Sequence, residues 1–82
     1  MDKNRLLWGS RRGMLELDLI LMPFVENIYP TLDADDQLRY QQLLEEQDQD
    51  LFAWLLKRQQ PQSPDLLRIV NIICEHTGQP SR

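Results

Sequence analysis

A second cysteine is missing from the chain. Cys74 stands alone, so no internal disulfide can form, and nothing points to an oxidising compartment or a disulfide scaffold. Glycine is scarce as well, at Gly9, Gly13 and Gly78 only. No phosphate-cradling loop, dinucleotide fingerprint or Gly-x-Ser-x-Gly nucleophile elbow can be built from them. No apolar run approaches the roughly 18–20 residues that cross a bilayer. Leu6, Leu7 and Trp8 are too few for a signal-peptide core, and Asp2 argues against a transit peptide. Strict alternation over a strand length is absent too. The expectation is a soluble, cytoplasmic, all-α protein.

What is present is small and acidic. The 82 residues are 41% apolar and 27% charged, with nine Lys and Arg against thirteen Asp and Glu. A domain of this size buries only about 60–65% of the surface its unfolded chain exposes. Little volume is left for a deep, water-excluding active site. The charge is divided unevenly: residues 1–13 net +3, residues 14–60 net −7, and residues 61–82 balance. Whole-surface nucleic-acid binding, which needs clustered Lys and Arg, does not fit. A basic end and an acidic middle can be a solvated surface, or complementary patches for a protein partner.

The apolar spacing predicts five short helices. Lys3 to about Arg11 forms the first, with Leu6, Leu7 and Trp8. Met14 to Tyr29 forms the second, through the stripe Met14, Leu17, Leu21, Phe24, Val25 and Ile28. Pro23 inside that stripe implies a kink or two abutting helices, and Tyr29-Pro30 ends the segment. Asp33 reads as the N-cap of a third helix, with Tyr40, Leu43 and Leu44 inward and Leu32 stapling its entry. Asp48 reads as the next N-cap, opening a helix with Leu51, Phe52, Leu55 and Leu56 inward and Trp54 to one side. Ser63-Pro64 opens the last, with Leu66, Ile69, Val70 and Ile73; Gly78 and Pro80 close it. Connections of about two to six residues favour antiparallel neighbours. The expected architecture is one helical domain over 1–82, a small bundle with a frayed tail from about residue 78.

Catalytic and metal chemistry find few residues to carry them. Cys74, Glu75 and His76 are consecutive, and adjacent helical side chains diverge by about 100°, so they do not converge on one ion. His76 reads as a surface or capping residue and Cys74 as a small buried hydrophobe. If exposed, Cys74 would permit disulfide-linked dimers; burial would prevent them. Asp35-Asp36 and Glu45-Glu46 fall where caps and solvated helix faces are expected, not in a cleft that would tune an acid and a base. The basic segment 3–12 spans about three turns at most, too short for membrane anchoring on its own.

One constellation remains: Arg11-Arg12-Gly13-Met14-Leu15-Glu16. Gly13 can be an N-cap, with Glu16 reaching back to its amide and Arg12 pairing with Glu16 one turn along. A residue without Cβ at an exposed junction also lets a partner's backbone approach closely, flanked by a guanidinium and a carboxylate that hydrogen-bond across an interface. The two readings are compatible.

These residues carry a resemblance. Trp8-x-Ser10-Arg11-Arg12-Gly13-Met14-x-Glu16-Leu17-Asp18 resembles the SdhE family of succinate dehydrogenase assembly factors, whose hallmark is Arg-Gly-x-x-Glu, here Arg12, Gly13 and Glu16. Leu43-Leu44-Glu45, Met22-Pro23-Phe24 and Asp50-Leu51-Phe52-Ala53-Trp54-Leu55 resemble the family too, and the likeness spans residues 5 to 75. Gly9 departs from it, standing where many relatives have a larger residue, which implies a looser end to the first helix.

The resemblance implies a five-helix chaperone, not an enzyme; the free chain is expected to be a monomer. Its expected partner is the flavoprotein subunit of succinate dehydrogenase, and in bacteria also that of fumarate reductase. There it promotes covalent attachment of FAD to a histidine of that subunit, so the FAD belongs to the partner. The implied partner-binding residues are Trp8, Arg11, Arg12, Gly13, Met14, Glu16 and Asp18. A second implied reading is an antitoxin-like protein neutralising a small membrane toxin; the chain lacks the basic DNA-binding module and disordered tail usual in antitoxins.

Overall fold

A computed structural model describes residues 3–76. Helices α1 (Lys3–Ser10), α2 (Leu15–Asn27), α3 (Ala34–Leu43), α4 (Asp48–Leu55) and α5 (Pro64–His76) follow one another, with a short 3-10 turn at Tyr29–Thr31. No strand occurs among the described residues. The all-α bundle expected from the apolar spacing is the observed architecture. The stop signals Gly78 and Pro80 and the tail beyond them lie outside the described residues.

The core is built from the expected stripes. Leu17, Leu21, Phe24 and Val25 of α2 meet Leu51 and Leu55 of α4 and Ile69, Val70, Ile73 and Cys74 of α5. Leu6 of α1 and Tyr40 and Leu43 of α3 complete it. Each such apolar side chain removed from water contributes about 1.5–3 kcal/mol, which is why one apolar face per helix suffices to fix the arrangement. Tyr40 lies at the centre, its ring 5.4 Å from both Phe24 and Tyr29. Burial pushes its phenol up, so it stays protonated. Cys74 is buried, donates to the Leu55 carbonyl at 3.7 Å, and has its thiol pushed up by desolvation.

Local rules hold at some helix ends and yield at others. The Asp33 side chain accepts from the Asp36 N–H at 2.8 Å, as an N-cap should. Ser63 accepts from the Leu66 N–H at 3.4 Å, with Pro64 opening α5. Asp48, expected to cap α4, is instead the first residue of that helix; Gln47 holds the cap position, with no side-chain bond. The Asp48 carboxylate is engaged elsewhere. Gly13 is likewise not the cap of α2: Met14 takes that place, again without a side-chain bond. The helix is continuous through Pro23 to Asn27, so the alternative of two abutting helices does not hold. Pro23 and Leu19 are both exposed, and the Leu19 carbonyl that loses its donor lies on the outer side of the bundle.

Asp36, expected in a solvated first turn, is buried. Arg68 donates to both its carboxylate oxygens, Nε to Oδ1 at 2.8 Å and Nη2 to Oδ2 at 3.1 Å. Arg39 adds a bond of 2.8 Å and reaches on to Asp65 at 2.9 Å. The cluster ties α3 to α5. Hydrogen bonding from Arg68, joined by that from Arg39, outweighs burial and holds the Asp36 carboxyl below its ordinary range.

Candidate functional site

Between α1 and α2 the chain turns within four residues, Arg11 to Met14. Gly13 makes that turn possible: its φ is +80°, a backbone region that L side chains rarely enter. A Cβ built on Gly13 meets nothing within 4 Å, so the residue is required here by conformation and not by internal space. The turn is closed from behind by Asp18. Its Oδ1 accepts from the Arg12 backbone N–H at 2.8 Å, while its own N–H bonds the Met14 carbonyl at 2.9 Å.

The sequence-predicted residues divide into two groups around this turn. Trp8, Arg11, Gly13 and Glu16 are exposed, and Trp8 keeps 75% of its surface open. Arg12, Met14 and Asp18 are half-buried and shape the turn from inside. Arg12 and Glu16 do not pair. The Arg12 guanidinium turns inward, giving Nε to Asp48 Oδ1 at 2.7 Å, Nη1 to the Gly9 and Leu44 carbonyls at 2.9 and 2.8 Å, and Nη2 to the Glu46 carbonyl at 2.6 Å. Gly9, expected to loosen the end of α1, is packed over by Leu44, whose Cδ1 would lie 3.2 Å from an added Cβ.

Beside the turn runs an apolar strip that sequence reasoning passed over. Leu15 and Leu19, one turn apart on α2, are 69% and 66% exposed, and Pro23 continues their line. Met22 of the same helix joins Trp8, Leu7, Asn4 and Arg11 in lining a shallow depression between α1 and α2. The signal was in the sequence: Leu15, Leu19, Ile20 and Met22 fall outside the buried stripe, leaving α2 apolar on more than one face. A helix of that kind is covered on more than one side. Charge lies beside the strip, with Arg11 lining the depression and exposed Glu16 next to Leu15 at the start of α2.

The described residues hold no group of three His, Cys, Asp or Glu able to bind a metal ion. No helix is long and apolar enough to cross a membrane among them. Neither described glycine cradles a phosphate: Gly9 packs against Leu44 and Gly13 faces outward. The arrangement suits a protein contact, with a large exposed aromatic, apolar neighbours and a bare backbone corner rimmed by charge.

Comparison with known proteins agrees in both extent and kind. The profile of a protein family described as "Flavinator of succinate dehydrogenase" matches residues 4–77. A protein of Pseudomonas aeruginosa called FAD assembly factor SdhE is 55% identical over 74 residues, which is 90% of this chain and 88% of that one. Its namesake in Pseudomonas putida is 50% identical over 74 residues, with the same coverage of both chains. In Pectobacterium atrosepticum the protein of that name is 42% identical over 72 residues, 88% of this chain and 82% of that one.

Proposed function

The chain belongs to the family described as flavinator of succinate dehydrogenase, and from that membership we propose that it docks on the flavoprotein subunit of succinate dehydrogenase and promotes covalent attachment of FAD there. The observation that carries the docking reading is the Gly13 turn. A left-handed glycine with open space at its Cβ stands between exposed Trp8 and Arg11 on one side and exposed Leu15 and Glu16 on the other. A partner's backbone can approach that corner more closely than any side chain would allow. Trp8 and the Leu15–Leu19 strip supply apolar area, and Arg11 and Glu16 supply directed hydrogen bonds at the rim. Met14, Asp18 and Arg12 complete the face from within.

The role is that of a chaperone, not a catalyst. Docking holds the partner in the conformation that presents its flavin to the acceptor histidine, and fixing two reactants in place removes a large entropic part of a barrier. FAD in this reading is the partner's group, and no residue of this chain is assigned to hold it. The flavoprotein subunit of fumarate reductase, which would offer the same kind of surface, is a second partner. The free chain is a cytoplasmic bacterial monomer; burial of Cys74 supports the monomer alone, by removing the thiol from intermolecular pairing.

The test is co-expression with the flavoprotein subunit, reading covalent flavin by in-gel fluorescence. The wild-type chain raises the signal, and Gly13→Arg, helical and soluble, does not. Wild-type fluorescence with Gly13→Arg sinks the interface.

A further inference from the structure

Arg12 has almost nothing left to offer a partner. A guanidinium carries five N–H donors, and four are committed within the chain, to Asp48, Gly9, Leu44 and Glu46. Its side chain is 15% exposed. The acceptors come from three helices meeting at one point. Gly9 lies in the last turn of α1, Leu44 caps the end of α3, and Asp48 opens α4. Carbonyls at helix C-termini lack intrahelical donors and sit at the negative end of the helix dipole, so a planar cation satisfies them twice over. The backbone N–H of the same residue is held by Asp18, and Gly13 is the next residue.

We infer that Arg12 is the positioning residue of the docking face: its guanidinium clamps the Leu44–Asp48 connection onto the end of α1 and so fixes the path of the Gly13 turn, without itself touching the partner. This rests on the docking reading above. Its consequence is that the acidic connection carrying Glu45, Glu46 and Asp48 is held next to the turn as one rigid surface with it. Loss of the clamp frees two segments together, the turn and the connection. A surface arginine that contacted a partner through its charge would free neither.

The experiment measures three things on purified full-length chain: the dissociation constant for the flavoprotein subunit, Tm, and amide hydrogen exchange of the free chain. The variants are Arg12→Lys, Asp48→Ala and, as the control on the docking reading, Gly13→Arg. Lysine keeps the charge but loses the fork, so Arg12→Lys is expected to weaken docking by about tenfold or more. Exchange should rise at the hydrogen-bonded amides of both segments, residue 12 and Asp18 at the turn and Glu45 and Glu46 in the connection, while the α5 amides stay protected. Asp48→Ala removes one of the four bonds and is the milder variant should Arg12→Lys fold poorly. It should raise exchange in the same two segments and weaken docking by about threefold. Arg12→Lys binding within about twofold of wild type overturns the positioning role. Docking lost with exchange unchanged overturns it too, and makes Arg12 a direct contact. Unchanged exchange and docking in Asp48→Ala overturn it as well. Gly13→Arg binding as wild type overturns the docking reading, and this inference with it.

Discussion

The hydroxyl groups of Ser10 and Tyr40 lie 2.6 Å apart, 30 residues distant in sequence and sealed from water. This bond joins the last turn of α1 to the middle of α3, and neither oxygen has water to fall back on. Removing one partner therefore strands the other. Ser10→Ala and Tyr40→Phe should each lower stability by about 1–3 kcal/mol. The double variant should lose clearly less than the sum, because no orphaned hydroxyl remains. A denaturant-unfolding cycle measures the coupling, and simple additivity would mean that the bond contributes nothing.

At Gly13 stability and docking should separate. Gly13→Ala puts a Cβ into the left-handed region and should lower stability by about 1 kcal/mol, although the methyl meets no neighbour. Gly13→Asn, better tolerated at positive φ, should lower it less. Docking affinity should follow the opposite order of the two, since the larger side chain intrudes further on a partner. Thermal melts and titration of the flavoprotein subunit report the two quantities on the same samples.

Glu16→Ala should leave stability within about 0.5 kcal/mol of wild type, and Tm nearly unmoved, because the side chain is exposed and makes no cap. Docking should fall. A lowered melting point with docking retained would restore the capping role that the sequence also allowed.

Lys57 occupies the left-handed region at φ 62° just past the end of α4. Its N–H bonds the Trp54 carbonyl at 3.1 Å and the following Arg58 N–H bonds Ala53 at 2.8 Å, the hydrogen-bond pair that usually selects glycine. Lys57→Gly should stabilise the chain by about 0.5–1 kcal/mol, read as a rise in Tm, with docking unaffected.

Asp36 predicts the acid side of the stability profile. Its folded carboxyl is held below the ordinary value by Arg68 and Arg39, so the unfolded chain takes up the proton first as pH falls. The stability it contributes is present in full above the unfolded value of about 4 and is lost as pH drops through the folded one. Asp36→Asn should lower Tm most at neutral pH, and the gap from wild type should narrow toward pH ~2. A gap constant with pH would show that packing, not charge, sets the effect.

Much of the fold was legible in sequence because helix periodicity is local. The stripes of α2, α4 and α5 place Leu21, Leu51, Ile69 and their companions in the core as expected. The Asp33 and Ser63 caps hold because each depends on a bond three residues away. Asp48 failed as a cap because a more demanding partner, Arg12, claims its carboxylate across 36 residues. Asp36 was misplaced for the same reason: nothing local tells that α5 will bring Arg68 against it. In the candidate site, Gly13 and its exposed neighbours stood out by motif, whereas the second apolar face of α2 was present in the sequence but only the bundle showed that its Leu15–Leu19 part stays open.

By itself the sequence determined an all-α chain of five short helices and the family it joins, and it singled out the junction proposed as the docking corner. These follow from periodicity, from glycine scarcity and from a motif within eleven residues, all properties of the chain read in order. Only the tertiary structure decided what Arg12 does. Adjacent to Gly13, it reads as half of a contact motif. In the folded chain its donors point inward, because the open carbonyls of two helix ends and the Asp48 carboxylate converge there and a forked cation satisfies them all. Which way a long side chain turns depends on what the rest of the chain brings within its reach, and no local pattern holds that information.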